Sequence, residues 1–205
     1  IPQSLLNIIE GHPLAAKIAA VASKEAGIQD LSNDIVTSEV EANIISLCLP
    51  KIELSPEELA TAQLISVFRQ PINIKTIEEH LELNVETANT LATKAVVEYD
   101  GHNYAMHPLI RKYYYKGVPI EEKKSFHKKA ANYYSKTAQR NHLGHFINPT
   151  VAFELVYHLA MAGDFRELYD LRVIIYEAMY PAARTLYSQK QYDKALELFY
   201  KLADI

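Results

Sequence analysis

Residues 99–115 read YDGHNYAMHPLIRKYYY, and the fold turns on how this stretch is divided. Asp100-Gly101 lies between two short runs that carry Val97, Tyr99, Tyr104 and Met106. Asp-Gly in that setting predicts a two-residue hairpin turn, because both central residues of a type I′ turn need positive φ. His107-Pro108 follows the second run directly. Proline suits the first position of a helix, where its missing N–H is no loss, so Pro108 starts a helix and His107 is its N-cap. A side chain there sits beside unpaired backbone donors at the positive end of a helix dipole, a place that welcomes an anion.

Upstream, breakers divide the chain into helices. Ser55-Pro56-Glu57-Glu58 supplies an N-cap, an N1 proline and a capping-box glutamate in the correct order. Ala60, Leu64, Val67 and Phe68 make the expected inner face of that helix. Pro71 breaks the chain, Ile72–Ile74 reads as a short strand, and Ile77 and Leu81 face inward on the next helix. Asn84 caps a third, whose inner face is Val85, Ala88, Leu91, Ala92, Ala95 and Val96. Three helices followed by a two-stranded wing is the order of a winged helix.

Winged helices often read DNA through the third helix. Its outward residues here are Glu86, Thr87, Asn89, Thr90, Thr93 and Lys94, and the wing adds Glu98, Asp100 and His102. Phosphate neutralisation supplies most of the affinity for DNA, and a surface with a single lysine is poorly equipped for it. A structural or protein-docking role fits that face better.

Further upstream, residues 4–10 read as a helix stopped by Gly11. Pro13 opens the next one, with Leu14, Ile18, Val21 and Ala22 on one face and Gly27 as its C-terminal cap. A third runs from Ser38 to Cys48, with Ser38 and Glu41 as a capping box, and ends at Pro50. Downstream of the wing, Leu109, Ile110, Tyr113 and Tyr114 share a helix that ends near Gly117. Residues 120–139 make another, with Phe126, Ala130, Tyr133 and Tyr134 inward and a solvated face where lysines alternate with Glu121 and Glu122. Arg140–Pro149 is a loop. Ala162-Gly163-Asp164-Phe165 and Lys190-Gln191-Tyr192 then punctuate helical hairpins. Leu186–Leu202 resembles a tetratricopeptide repeat, with Tyr192, Ala195 and Phe199 at its aromatic, alanine and aromatic positions and Ala183 as its small residue. The expected fold is mainly α: a small helical domain at 1–52, a winged helix with a short β-hairpin at 53–117, and TPR-like helical hairpins at 118–205. Both ends look like cuts, so a piece of a longer protein is expected.

A net charge of −4 gives no pull toward nucleic acid or anionic membranes. There is no apolar run long enough to span a bilayer and no signal-like start, which predicts a soluble, cytoplasmic chain. The single cysteine, Cys48, cannot form an internal disulfide and reads as a small core residue in a reducing compartment. No P-loop, HExxH, CxxC or GxSxG occurs. His142 and His145 lie three apart in a loop and lack the further ligands that a zinc site needs. No self-contained active site or metal site is expected.

Gly11-His12-Pro13 and Met106-His107-Pro108 both set a rigid proline at a helix start. A helical unit with Gly-x-Pro, a winged helix ending in Met-His, and helical repeats together resemble the regulatory half of STAND-type signalling NTPases, the NB-ARC group in particular. GHPLAAKIAA is similar to the group's Gly-x-Pro-Leu-Ala segment, and AMHPLIRKYY to its Met-His-Asp segment. The resemblance implies that Pro13, flanked by Gly11, packs against the adenine of bound nucleotide. It implies that His107, flanked by Met106, touches the β-phosphate of ADP and holds a resting state. Pro108 stands where the family has aspartate, so any domain contact made by that carboxylate has no counterpart here. By the same resemblance, ADP or ATP with Mg is bound only by the full-length protein, through an upstream NTPase domain, and not by this chain alone. The repeats would take a protein or small ligand, and activation would bring self-oligomers. Hinges are expected near Pro50–Ser55 and Gly117–Ile120. Two other readings stay open: a winged-helix transcription regulator, and a helical interaction scaffold with no nucleotide role.

Overall fold

Local capping chemistry decides where most of the helices begin. In the computed structural model the described residues are 13–26, 48–140, 142, 146–171, 180, 184, 188 and 189. The expected helix at 4–10, the cap at Gly27 and nearly all of the helix at 38–48 lie outside them. The chain divides into two units, Ile1–Pro119 and Ile120–Ile205.

In the first unit, α1 (Pro13–Ala26) starts on its proline. Ile18, Ala19 and Ala22 are fully buried, so the small residues on this helix let a neighbour approach closely. That neighbour is a 3₁₀ turn, Leu49–Lys51, which packs on α1. Leu49 and Cys48 are buried there. Burial raises the Cys48 thiol pKa against a weaker opposing pull from Lys51, so the sulfur stays an inert core atom.

Helix α2 (Pro56–Ile65) carries the full capping box. Ser55 Oγ accepts the Glu58 N–H at 3.2 Å, and Glu58 Oε2 accepts the Ser55 N–H at 2.6 Å. The helix packs on two later helices at once, so its buried stripe is broad: Thr61, Ala62, Leu64 and Ile65, then Val67 and Phe68. Ala60, expected inside, is exposed because it faces away from both partners. Strand β1 (Ile72–Asn73) is one residue shorter than expected. The Asn73 side chain accepts the Lys75 N–H at 3.0 Å, and this cap draws Ile74 into α3 (Ile74–Leu81). Ile77 and Leu81 are buried as expected.

Asn84 caps α4 (Val85–Thr93), accepting the Glu86 N–H at 2.8 Å. Ala88, Leu91 and the following Val96 are fully buried, while Val85, Ala92 and Ala95 are half-buried. Thr87, expected on the outer face, is buried instead. Its hydroxyl donates to Glu57 Oε1 on α2 at 2.8 Å, and this bond turns it inward.

Strands β2 (Glu98–Tyr99) and β3 (Asn103–Ala105) complete an antiparallel sheet in the order β1-β3-β2. Tyr104 faces Ile72 on one side and Tyr99 on the other. The turn between β2 and β3 differs by one step from the expected Asp100-Gly101 turn. Tyr99 pairs with Tyr104, and Asp100 N–H donates to Asn103 O at 3.2 Å, so Gly101 and His102 are the central residues. Only Gly101 has positive φ, at 96°, the position where a type II′ turn places glycine. The shift has a local cause: Asp100 Oδ1 accepts the N–H groups of His102 at 2.8 Å and Asn103 at 2.6 Å. Helix α5 (Pro108–Lys116) follows, burying Ile110 and Tyr114 against α2 and ending at Gly117.

The second unit is built on a hairpin of α6 (Ile120–Thr137) and α7 (Pro149–Ala162). Ala130, Ala131, Tyr133 and Tyr134 are buried on α6, as are Ala152, Leu155 and Leu159 on α7. Phe126 is only half-buried, and His127 beside it is fully buried. Arg140 and Phe146 pair in an isolated bridge, with the guanidinium 4.2 Å from the ring centroid. At the far end Gly163 takes φ 77°, its N–H bonds Ala160 O, and Asp164 N–H bonds Leu159 O. This is the glycine stop expected at 162–165, and residues 165–171 are helical again. The repeat-like positions Ala183, Tyr192, Ala195 and Phe199 lie outside the described residues. Among the described residues the chain is mainly α-helical, as expected, and the expected β-hairpin gains β1 as a third strand.

Ala95 ends α4 with φ 57°, a left-handed conformation that a Cβ disfavours. Ala95→Gly should therefore raise the unfolding free energy by about 1 kcal/mol in a denaturant titration. A lower value would mean that methyl packing at this position outweighs the backbone strain.

Candidate functional site

The site suggested by the sequence begins where β3 ends. Met106 is buried at 8% exposure and anchors the junction. His107 is half-buried and caps α5: Nδ1 accepts the Leu109 N–H at 3.4 Å, and its carbonyl accepts the Arg111 N–H at 2.9 Å. With Nδ1 acting as an acceptor, the neutral ring carries its proton on Nε2. Nε2 is then a hydrogen-bond donor at a helix N-terminus, the chemistry that suits an anionic oxygen. Pro108 contributes no N–H, so the cap depends on the histidine.

Pro13 starts α1, and its ring is not among the described side chains; Gly11 lies outside the described residues. The helix that Pro13 opens and the strand that leads to His107 share one groove of about 650 Å³. Lys17, Ala20 and Val21 line it from α1, and Tyr99, Asn103 and Ala105 from the sheet. A second groove, about 900 Å³ and mostly apolar, lies between residues 49–54, α2 and α5, with Leu59 and Tyr113 on its walls.

The outer face of α4 is the candidate nucleic-acid surface. Glu86, Asn89, Thr90 and Thr93 are exposed there. The Thr90 and Thr93 hydroxyls donate to the carbonyls of Glu86 and Asn89 at 3.0 and 3.1 Å. Lys94, the sole base expected on that face, is drawn away from it: Nζ donates to Glu53 O at 2.6 Å and to Glu58 Oε2 at 3.0 Å. Burial pushes the Glu58 carboxyl upward in pKa. The Ser55 N–H and Lys94 outweigh that, and the net is below the usual carboxylate range. The exposed Asp100 carboxyl is also lowered, first by the Asn103 side chain and then by the amides of His102 and Asn103. The wing tip therefore presents a carboxylate.

A buried group that the sequence reading missed lies in the second unit. His127 on α6 and His158 on α7 are both fully buried, with Nδ1 atoms 2.8 Å apart. The signal was present: His127 precedes Ala130 and Tyr134 at helical spacing, and His158 follows Leu155 by three. His142, by contrast, is exposed, and His145 lies outside the described residues. Among the described residues no group of three His, Cys, Asp or Glu could hold a metal ion. Among them, no helix is long and apolar enough to cross a membrane.

No protein-family model matches the chain, nor does any curated protein. Among solved structures it is similar to a signal transduction ATPase with numerous domains (STAND) protein with a tetratricopeptide repeat sensor from Pyrococcus horikoshii. The TM-score is 0.54 at 17% sequence identity, and the match covers 97% of this chain and 31% of that chain. At this identity the likeness is one of fold. The chain spans less than a third of the length of that protein.

Glu58 joins the start of α2 to the end of α4 and can be tested directly. Glu58→Gln should cost about 1.5–3 kcal/mol, the usual value of hydrogen bonds to a charged partner. Because folding lowers its pKa, the contribution of Glu58 is complete above the ordinary carboxylate range and is lost as pH falls through the folded value. Urea melts across the acidic range should show the wild-type advantage over Glu58→Gln shrinking toward low pH. An advantage that stays constant with pH would contradict the ion pair.

Proposed function

We propose that this chain is the nucleotide-state-sensing regulatory module of a STAND-class, NB-ARC-like signalling ATPase. The observation that carries the reading is His107 at the α5 N-terminus, with Nδ1 engaged by its own helix and Nε2 left as a donor. The fold likeness to a STAND protein with a repeat sensor supports it across nearly the whole chain. The order helix, strand, helix, helix, strand, strand, with β3 central, supports a winged helix for residues 53–117.

In the full-length protein an upstream NTPase domain of the same chain would hold ADP or ATP with Mg. Nucleotide bound there would supply a negative β-phosphate and, in the ATP state alone, a further γ-phosphate. His107 Nε2 would donate to a phosphate oxygen, and the edge of the Pro13 ring would lie against the adenine. Gly11 and Met106, next to these two residues, would be the lesser contacts to the nucleotide. The donor type at His107 fits an anion. No tight nucleotide binding is expected from this chain alone, because phosphate normally needs a P-loop's backbone cradle. The chain itself performs no catalysis in this reading, and ATP hydrolysis belongs to the NTPase domain.

The winged helix would move as one body when the nucleotide changes. Residues 117–120 are the better of the two expected hinges. The segment at 50–55 is held by buried Ile52 and by the Lys94 bond to Glu53 O. The helical hairpins from 120 onward would receive a protein or small ligand and bias the open state, which would then self-associate in the cytoplasm.

The DNA-binding alternative loses Lys94, the lysine that ends α4, to Glu58 and Glu53, which favours the regulatory reading. A gel-shift titration should find no specific complex and no steep salt dependence; a steep salt slope would support the alternative. In the full-length protein, His107→Ala should weaken ADP retention by about tenfold or more, the typical size of a lost charge-assisted hydrogen bond. It should also raise basal signalling. Nucleotide occupancy equal to wild type after extensive dialysis would overturn the assignment.

A further inference from the structure

His127 and His158 are separated by 31 residues, yet their Nδ1 atoms meet at 2.8 Å in a site with no exposed surface. Two ring nitrogens at that distance share one proton, so one ring donates and the other accepts. Glu154 sits one turn before His158 on α7, with Oε2 3.8 Å from His158 Nε2. A carboxyl there favours the proton on His158 Nε2. His158 Nδ1 is then the acceptor and His127 the donor. Tyr157 meets both rings edge-on, at 5.6 and 5.1 Å between centroids, and Tyr134 stacks on His158 at 5.4 Å. Among the described residues, the titratable groups facing the pair are Tyr134 from α6 and Glu154 and Tyr157 from α7.

We propose that the His127–His158 pair is an acid-sensitive clasp that holds α6 against α7 and releases when both rings become charged. The neutral pair carries one proton between the Nδ1 atoms and one on an Nε2. A single added proton can take the remaining Nε2 and leave the central bond intact. A second added proton has only the central acceptor left. It would set N–H against N–H at 2.8 Å, with two like charges out of contact with water. That state requires the helices to part. In the parted hairpin each ring takes its proton at an ordinary pKa of about 6.5. Below that value the open form binds at least one more proton than the closed form. The closed hairpin is therefore fully favoured above the histidine range. It weakens as pH falls, by up to about tenfold in the opening equilibrium per pH unit for each extra proton. Opening would uncover Ala130, Tyr134 and Leu155, so a fall in pH changes which surface the hairpin offers.

The test is amide hydrogen exchange of α6 and α7 in the intact chain at pH 7 and pH 5, corrected for intrinsic rates. Wild-type protection should fall roughly tenfold between the two values. The double variant His127→Phe/His158→Phe removes both partners and keeps ring volume; its protection should stay within about twofold, the spread of a pair that no longer titrates. Wild-type protection that does not change, or an equal loss in the variant, would overturn the clasp. If the variant does not fold, ring ¹⁵N spectra of the wild type decide. Loss of α6 and α7 protection should coincide with the second ring becoming charged. Two charged rings with protection intact would contradict the proposal.

Discussion

The burial of Tyr104 is the interaction on which the sheet and the helices around it depend. It stands in the central strand with no exposed surface and pairs with Ile72 on β1 and Tyr99 on β2. Its ring stacks on that of Tyr99 at 4.8 Å, and its hydroxyl donates to Asn89 Oδ1 on α4 at 2.7 Å. Burial raises its phenol pKa, and Tyr99 adds to the rise, which keeps the donor protonated. One side chain thus joins both edge strands to α4. Removing a buried aromatic of this kind costs about 3–5 kcal/mol, a large part of the 5–15 kcal/mol that holds a typical domain together.

The consequence for function is geometric. With Tyr104 fixed, the next three residues have little freedom, and His107 arrives at the α5 N-terminus in a set orientation. The polar ties on the other side of the unit act in the same sense. Ser55, Glu58 and Lys94 lock α2 to α4, and Thr87 adds a bond to Glu57. In the proposed reading, a body held this way would turn as a unit about a short hinge and carry one histidine into or out of contact with a phosphate. The same ties spend the cation that a nucleic-acid surface would need.

Features governed by near neighbours were legible in the sequence. The capping box of Ser55 and Glu58, the caps at Asn84 and His107, and the glycine stop at Gly163 each depend on residues within a few positions. The turn after Tyr99 was misplaced by one residue because the Asp100 carboxylate claims two amides beyond it, a preference that the Asp-Gly pair alone does not reveal. The partner of β1 was not readable, because Ile72 and Tyr104 are distant in sequence. Thr87 and Lys94 look like surface residues until Glu57 and Glu58 are brought beside them by packing. The pairing of the two histidines was not readable for the same reason: helical spacing marks each ring as an ordinary core histidine and does not show that they meet. At the candidate site, the placement of His107 was legible and its hydrogen-bond state was not.

In the proposed function His107 reads the nucleotide. The most direct measurement is the ¹⁵N resonance of the His107 side chain in the full-length protein, recorded free, with ADP and with a non-hydrolysable ATP analogue. Nε2 should shift on ADP binding and move back toward its free position in the ATP-like state. One resonance position in all three states would contradict it.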